Sequence, residues 1–113
     1  MMNDVKPIIV RDSESGMEFT LEFNREAIRF AEARGFKISD VGDYPMTKIP
    51  ELWYYAFRMH HKNVSRQRTD ALLEGLGGIP DGLMERLGEL YAAPFNTLSD
   101  GDAENPTTVT ISL

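Results

Sequence analysis

The stretch TKIPELWYYAFRMHHK, Thr47 to Lys62, decides the fold. Ile49, Leu52, Trp53, Ala56, Phe57 and His60 recur at three- and four-residue spacing, the signature of a continuous apolar helical face about four turns long. That face is assigned to the core. Tyr54, Tyr55 and Met59 lie off the stripe, so the helix is apolar over more of its circumference than a one-sided surface helix needs, and it is expected to touch neighbours on two sides. Thr47 is placed to cap its start, and Pro50 is tolerated in a first turn, where its missing N–H has no intrahelical partner.

Upstream, MEFTLEF from Met17 to Phe23 alternates strictly, with Met17, Phe19, Leu21 and Phe23 on one side, which predicts a half-buried strand. Pro7 to Arg11 is a second short β-branched run. Ser13-Glu14-Ser15-Gly16 supplies turn residues, so the two runs read as a hairpin that must lie on the helices or gain a third strand. Asn24 caps a helix from Arg25 to about Arg34, with Phe23 and Ile28 as the apolar pair of a hydrophobic staple. Gly35 is the expected left-handed stop, and Phe36 is positioned to fold back near Ala31. Lys37 to Met46 reads as a connector with Gly42, Asp43 and Pro45 as breakers.

Downstream, Ser65 caps a helix from Arg66 to about Gly75 whose Leu72, Leu73 and Leu76 are assigned to the core. Asp81 opens a last helix, DGLMERLGELY, with Leu83, Met84, Leu87, Leu90 and Tyr91 as its buried stripe; Gly82 and Gly88 would each weaken its interior by about 1 kcal/mol. Residues 1–95 therefore read as a single α+β domain, an N-terminal hairpin packed on about four helices. Asn96 to Pro106 carries Asp100, Asp102 and Glu104 with no basic residue and reads as an exposed acidic linker within a tail, 96–113. The tail closes on a strand pattern, Val109, Ile111 and Leu113 alternating with Thr108, Thr110 and Ser112, able to complete the hairpin's sheet in the same chain or in a neighbour.

Composition narrows the function classes. A chain of 113 residues with 42% hydrophobic and 27% charged residues is a single ordinary globular domain, neither fibrous nor wholly disordered. No apolar run has the length a bilayer requires, and MMNDVKPIIVRD holds no secretory apolar core, so the chain is expected in the cytoplasm. Zero cysteines remove thiolate catalysis, disulfide frameworks and cysteine-based zinc sites. A net charge of −6 works against binding a polyanion with the whole surface.

His60-His61 is the one pair an enzyme or metal site would draw on. Adjacent helical residues point about a hundred degrees apart, so a regular helix cannot aim both at one ion, and no third ligand is marked. No catalytic residue, metal or cofactor is assigned. Gly75-Leu76-Gly77-Gly78 follows no strand and carries no Lys-Ser/Thr ending, so it is a helix stop and not a phosphate cradle. Arg58, Lys62, Arg66 and Arg68 stand in a stretch with no acidic residue between Leu52 and Thr69. This basic stretch suits solvation of two helix ends or an acidic protein partner better than nucleic acid, and its sign matches the chain's own acidic tail. Tyr54, Tyr55 and Met59 are the candidates for adaptable apolar surface, since Tyr offers rigid contact area and Met repacks readily.

The order of the pieces LEFNREAIRFAEARGF, YPMTKIPELWYYAFRMHHKNVSRQRTDALLE and LMERLGELYAAPFNTL resembles the tail assembly chaperones of long-tailed phages and prophages. The resemblance covers roughly Met17 to Leu98 and rests on Glu22-Phe23-Asn24-Arg25, Gly35-Phe36, Ile49 with the Trp53–Phe57 cluster and His60-His61, Thr69-Asp70, and Leu90-Tyr91 with Pro94. It implies a non-enzymatic protein of the bacterial host cytoplasm that binds the tape measure protein, a long and partly apolar helical chain, and keeps it soluble. Self-association along such a client is a further expectation. The readings kept beside it are a small nucleic-acid-binding regulator using residues 58–68 and a self-associating structural tail component.

Overall fold

In the computed structural model the backbone is described for residues 5–104 and the side chains for residues 5–95. The protein is an α+β domain. A two-stranded antiparallel hairpin, β1 (Ile8–Arg11) and β2 (Glu18–Leu21), precedes helices α1 (Arg25–Ala33), α2 (Pro45–Ala56), α3 (Arg66–Glu74) and α4 (Leu83–Glu104), with a short 3-10 turn at Ile38–Asp40.

The hairpin register pairs Ile8 with Leu21 and Val10 with Phe19, which puts Val10, Phe19 and Leu21 in the core. Its turn is held by Asp12, whose carboxylate accepts from the Glu14 N–H at 3.1 Å and the Ser15 hydroxyl at 2.9 Å. Gly16 supplies the positive φ of 77° that closes it. β2 is shorter than the alternating pattern: Met17 belongs to the turn, its N–H spent on Ser15 Oγ, and its side chain is 52% exposed.

α1 forms as its ends dictate. Asn24 Oδ1 accepts from the Ala27 N–H at 2.8 Å, and the staple residues Phe23 and Ile28 are both buried. Gly35 takes φ 94°; its N–H reaches the Glu32 carbonyl and the Phe36 N–H reaches Ala31, the paired bonds of a Schellman ending that tuck Phe36 into the core.

α2 is central, packing against α1, α3, α4 and the 3-10 turn. Its limits differ from the periodicity. It starts at Pro45, not at a Thr47 cap, because Pro45 fits the first helical position and the Tyr44 N–H before it is tied to the Asp40 carbonyl at 2.9 Å. Pro50 therefore lies inside the helix; the carbonyl it leaves unbonded belongs to Met46, which is 90% exposed and open to water. The helix stops at Ala56 because the Ala56 carbonyl, which would continue it, accepts the Glu22 N–H beyond β2 at 3.0 Å. His60 is thus in the turn after the helix and exposed, not in the core stripe.

α3 is capped by Ser65, whose hydroxyl accepts from the Arg68 N–H at 3.1 Å. Leu73 is buried and Leu72 half-buried, but Leu76 is 45% exposed, since the chain turns away at Gly75. α4 begins at Leu83, not Asp81; Gly82 precedes it with φ 85° and so weakens no helix interior. Leu83, Leu87, Leu90 and Tyr91 are buried as their spacing predicts. The backbone continues as helix through Pro94 to Glu104, so residues 96–104 of the expected linker are helical. The strand pattern at Val109, Ile111 and Leu113 lies outside the described residues. Among the described residues no helix is long and apolar enough to cross a membrane.

Candidate functional site

The seven residues singled out from the sequence do not form one surface. Tyr55 is core: α1 and Phe36 beyond its glycine stop cover the second side of α2, with the Phe36 ring 5.5 Å and the Phe30 ring 6.1 Å from the Tyr55 ring. Tyr54 is half-buried, its ring 5.1 Å from that of Tyr55. Met59 is half-buried in the turn after α2.

The basic residues are mostly committed within the fold. The Arg58 guanidinium lies 3.8 Å over the Phe30 ring and pairs with Glu26 at 3.5 Å, while its Nε is buried without a partner. Arg66 pairs with Asp70 one turn on at 2.9 Å and stands 6.0 Å from the Tyr54 ring. Arg68 reaches across to the hairpin turn, where it meets Asp12 Oδ2 at 2.7 Å. The Ser15 hydroxyl, the Glu14 N–H and the Arg68 charge together hold the Asp12 carboxyl below its ordinary value. Lys62 is exposed and has no carboxylate within ion-pair distance among the described residues. What remains of the patch is a narrow cleft where Tyr54, Arg58 and Lys62 meet Phe30, Phe57 and His61.

The two histidines point to different tasks. His60 Nε2 lies 2.8 Å from Glu22 Oε1. His61 Nε2 accepts the Thr20 backbone N–H at 2.9 Å, with its ring edge-on to Phe19 at 5.2 Å. Burial, and then the neighbouring His60, lower the His61 pKa, so the ring is a neutral acceptor at pH 7. Accepting that bond occupies its outward nitrogen, and among the described residues no group of three His, Asp or Glu is placed to hold a metal.

Sequence reasoning missed the two most exposed large apolar side chains among the described residues. Tyr44 is 62% and Met46 90% exposed at the start of α2, and Ile38 of the preceding 3-10 turn is 39% exposed. The available signal was Pro45: read as a first helical residue, it makes Tyr44 the cap and aims Met46 outward. Ile9, Leu76, Ile79 and Phe95 are also about half exposed.

No curated protein and no solved structure matches the chain. One family model does match, over residues 2–113, and the chain belongs to that family, described as a domain of unknown function (DUF5055).

Proposed function

We propose that the protein is a non-enzymatic phage tail assembly chaperone that binds the tape measure protein in the host cytoplasm and keeps it soluble while the tail is built. The observation that carries this reading is the run of outward apolar side chains Ile38, Tyr44 and Met46 leading into the central helix. A soluble domain spends few large apolar groups on solvent in one short segment without a partner for them. Methionine and tyrosine suit a client whose helical stretches differ in sequence, because one repacks and the other offers area at little entropic cost. The client contact is centred on the start of α2, since Tyr55 is buried while Tyr54 and Met59 are half-buried. The nucleic-acid reading is weakened, since Arg58, Arg66 and Arg68 each hold a carboxylate of the same chain and only part of the expected positive field faces outward.

The test is co-expression with the cognate tape measure protein, followed by light scattering on the soluble fraction. A soluble complex with several copies per client, lost when Tyr44 and Met46 are both replaced by Ser, is expected. An insoluble client beside a free chain overturns the reading, and salt-sensitive binding to duplex DNA would favour the regulator instead.

A further inference from the structure

We propose that the outer edge of β1 receives the segment Thr108–Leu113 of a second copy of this chain as an added strand. This is independent of the chaperone reading. The hairpin has two edges, and they differ. On β2 the Thr20 N–H is bound by His61 Nε2 and the Glu22 N–H by the Ala56 carbonyl, so the end of α2 closes that side. The same bonds show that Thr20 faces away from β1. Ile9, its register partner, is then in a non-hydrogen-bonded pair, and its N–H and carbonyl point to the opposite edge, as do those of Arg11 two residues on. No described residue bonds these groups, and the Ile9 side chain is 56% exposed.

An edge of this kind is a template for one more strand unless it is blocked. Two clefts flank it. One is walled by Pro7, Pro80 and Leu83, the other by Arg11, Leu72 and the exposed Leu76. The first offers an apolar seat and the second a mixed one, with Leu72 and Leu76 beside Arg11, Asp12 and Arg68, and the sequence carries a matching pattern in the alternation of Val109, Ile111 and Leu113 with Thr and Ser.

Reach makes the donor a second copy. α4 starts beside β1, where the Arg86 guanidinium meets the Lys6 carbonyl at 2.7 Å. It then crosses the open end of the hairpin from the β1 side to the β2 side, because Tyr91 packs on Phe23, which lies opposite Lys6 in the register, with ring centroids 5.0 Å apart. From Arg86 to Glu104 the helix advances about 27 Å. The link from Glu104 to Val109 spans at most about 18 Å, less than the helix has advanced from its start beside β1, so we assign the donor to a second copy.

Sedimentation velocity on the full chain over a wide concentration range should show association. Deletion of residues 106–113 should abolish it, and so should Ile9→Pro, which removes an edge donor that takes no part in the hairpin ladder. Mixing the deleted chain, which keeps the edge, with the Ile9→Pro chain, which keeps the strand, should restore a 1:1 complex. A full chain that stays monomeric, an oligomer that survives both changes, or a mixture that yields no complex overturns the proposal. Should Ile9→Pro fail to fold by circular dichroism, the Ile9 amide decides: its hydrogen exchange should be slower in the full chain than in the deleted one, and equal rates overturn the pairing.

Discussion

The Thr20 backbone N–H donates to His61 Nε2 at 2.9 Å, tying β2 to a side chain forty-one positions later. This one bond closes a strand edge and holds the turn after α2. Replacing His61 by Ala leaves a partly buried N–H without its acceptor and should cost about 1–3 kcal/mol at neutral pH.

The burial of His61, with His60 beside it, sets an acid sensitivity. The His61 pKa is lowered in the folded state, so the unfolded chain takes up the proton first as pH falls. Its contribution is complete above about pH 6.5 and declines as pH drops from there toward the folded value. Urea midpoints at pH 7.5 and 5.5 should therefore differ more for the parent chain than for His61→Ala. An unchanged difference would remove His61 as the titrating group.

Trp53 is 1% exposed, and its indole N–H donates to the Thr69 carbonyl at 2.8 Å, joining α2 to α3. Trp53→Ala should lower stability by about 3–5 kcal/mol through the cavity it leaves. A denaturation midpoint near that of the parent would place the indole outside the core.

Gly35 at φ 94° and Asn24 at the opposite end of α1 are local devices with separable costs. Each replaced by Ala should cost about 1 kcal/mol, the first by backbone strain and the second by an unsatisfied N–H. The two should be additive in melting experiments, since they sit at opposite ends of the helix.

Surface and core tyrosines can be told apart. Tyr44→Ser with Met46→Ser should change stability by no more than about 0.5 kcal/mol while weakening client capture. Tyr55→Ala should cost about 3 kcal/mol, because Phe30 and Phe36 lose the ring they pack on.

At alkaline pH the sensitive group is Tyr91. Burial, followed by the charge of Glu32, pushes its hydroxyl up to about 12. The unfolded chain loses this proton first, so stability should decline as pH rises above about 10. Tyr91→Phe should flatten that decline in midpoints measured at pH 8 and 11.

α1 was legible because every determinant is local: Asn24 caps the Ala27 N–H, and Gly35 and Phe36 return to the Glu32 and Ala31 carbonyls, each within five residues. The hairpin and the Ser65 cap were legible for the same reason. The candidate surface was not. Whether Tyr55 is covered depends on Phe30 and Phe36, and whether Arg68 is free depends on Asp12, which a single sequence does not bring together.

The sequence by itself determined the order of a hairpin and four helices, how α1 and α3 are capped, and that Trp53, Phe57 and Leu87 are core, since spacing and capping act over a turn or two of chain. Tertiary structure alone decided where α2 stops and which of its faces is wet. A helix ends where its carbonyls find better partners, and the Glu22 N–H that takes the Ala56 carbonyl comes from a strand edge thirty-four residues away.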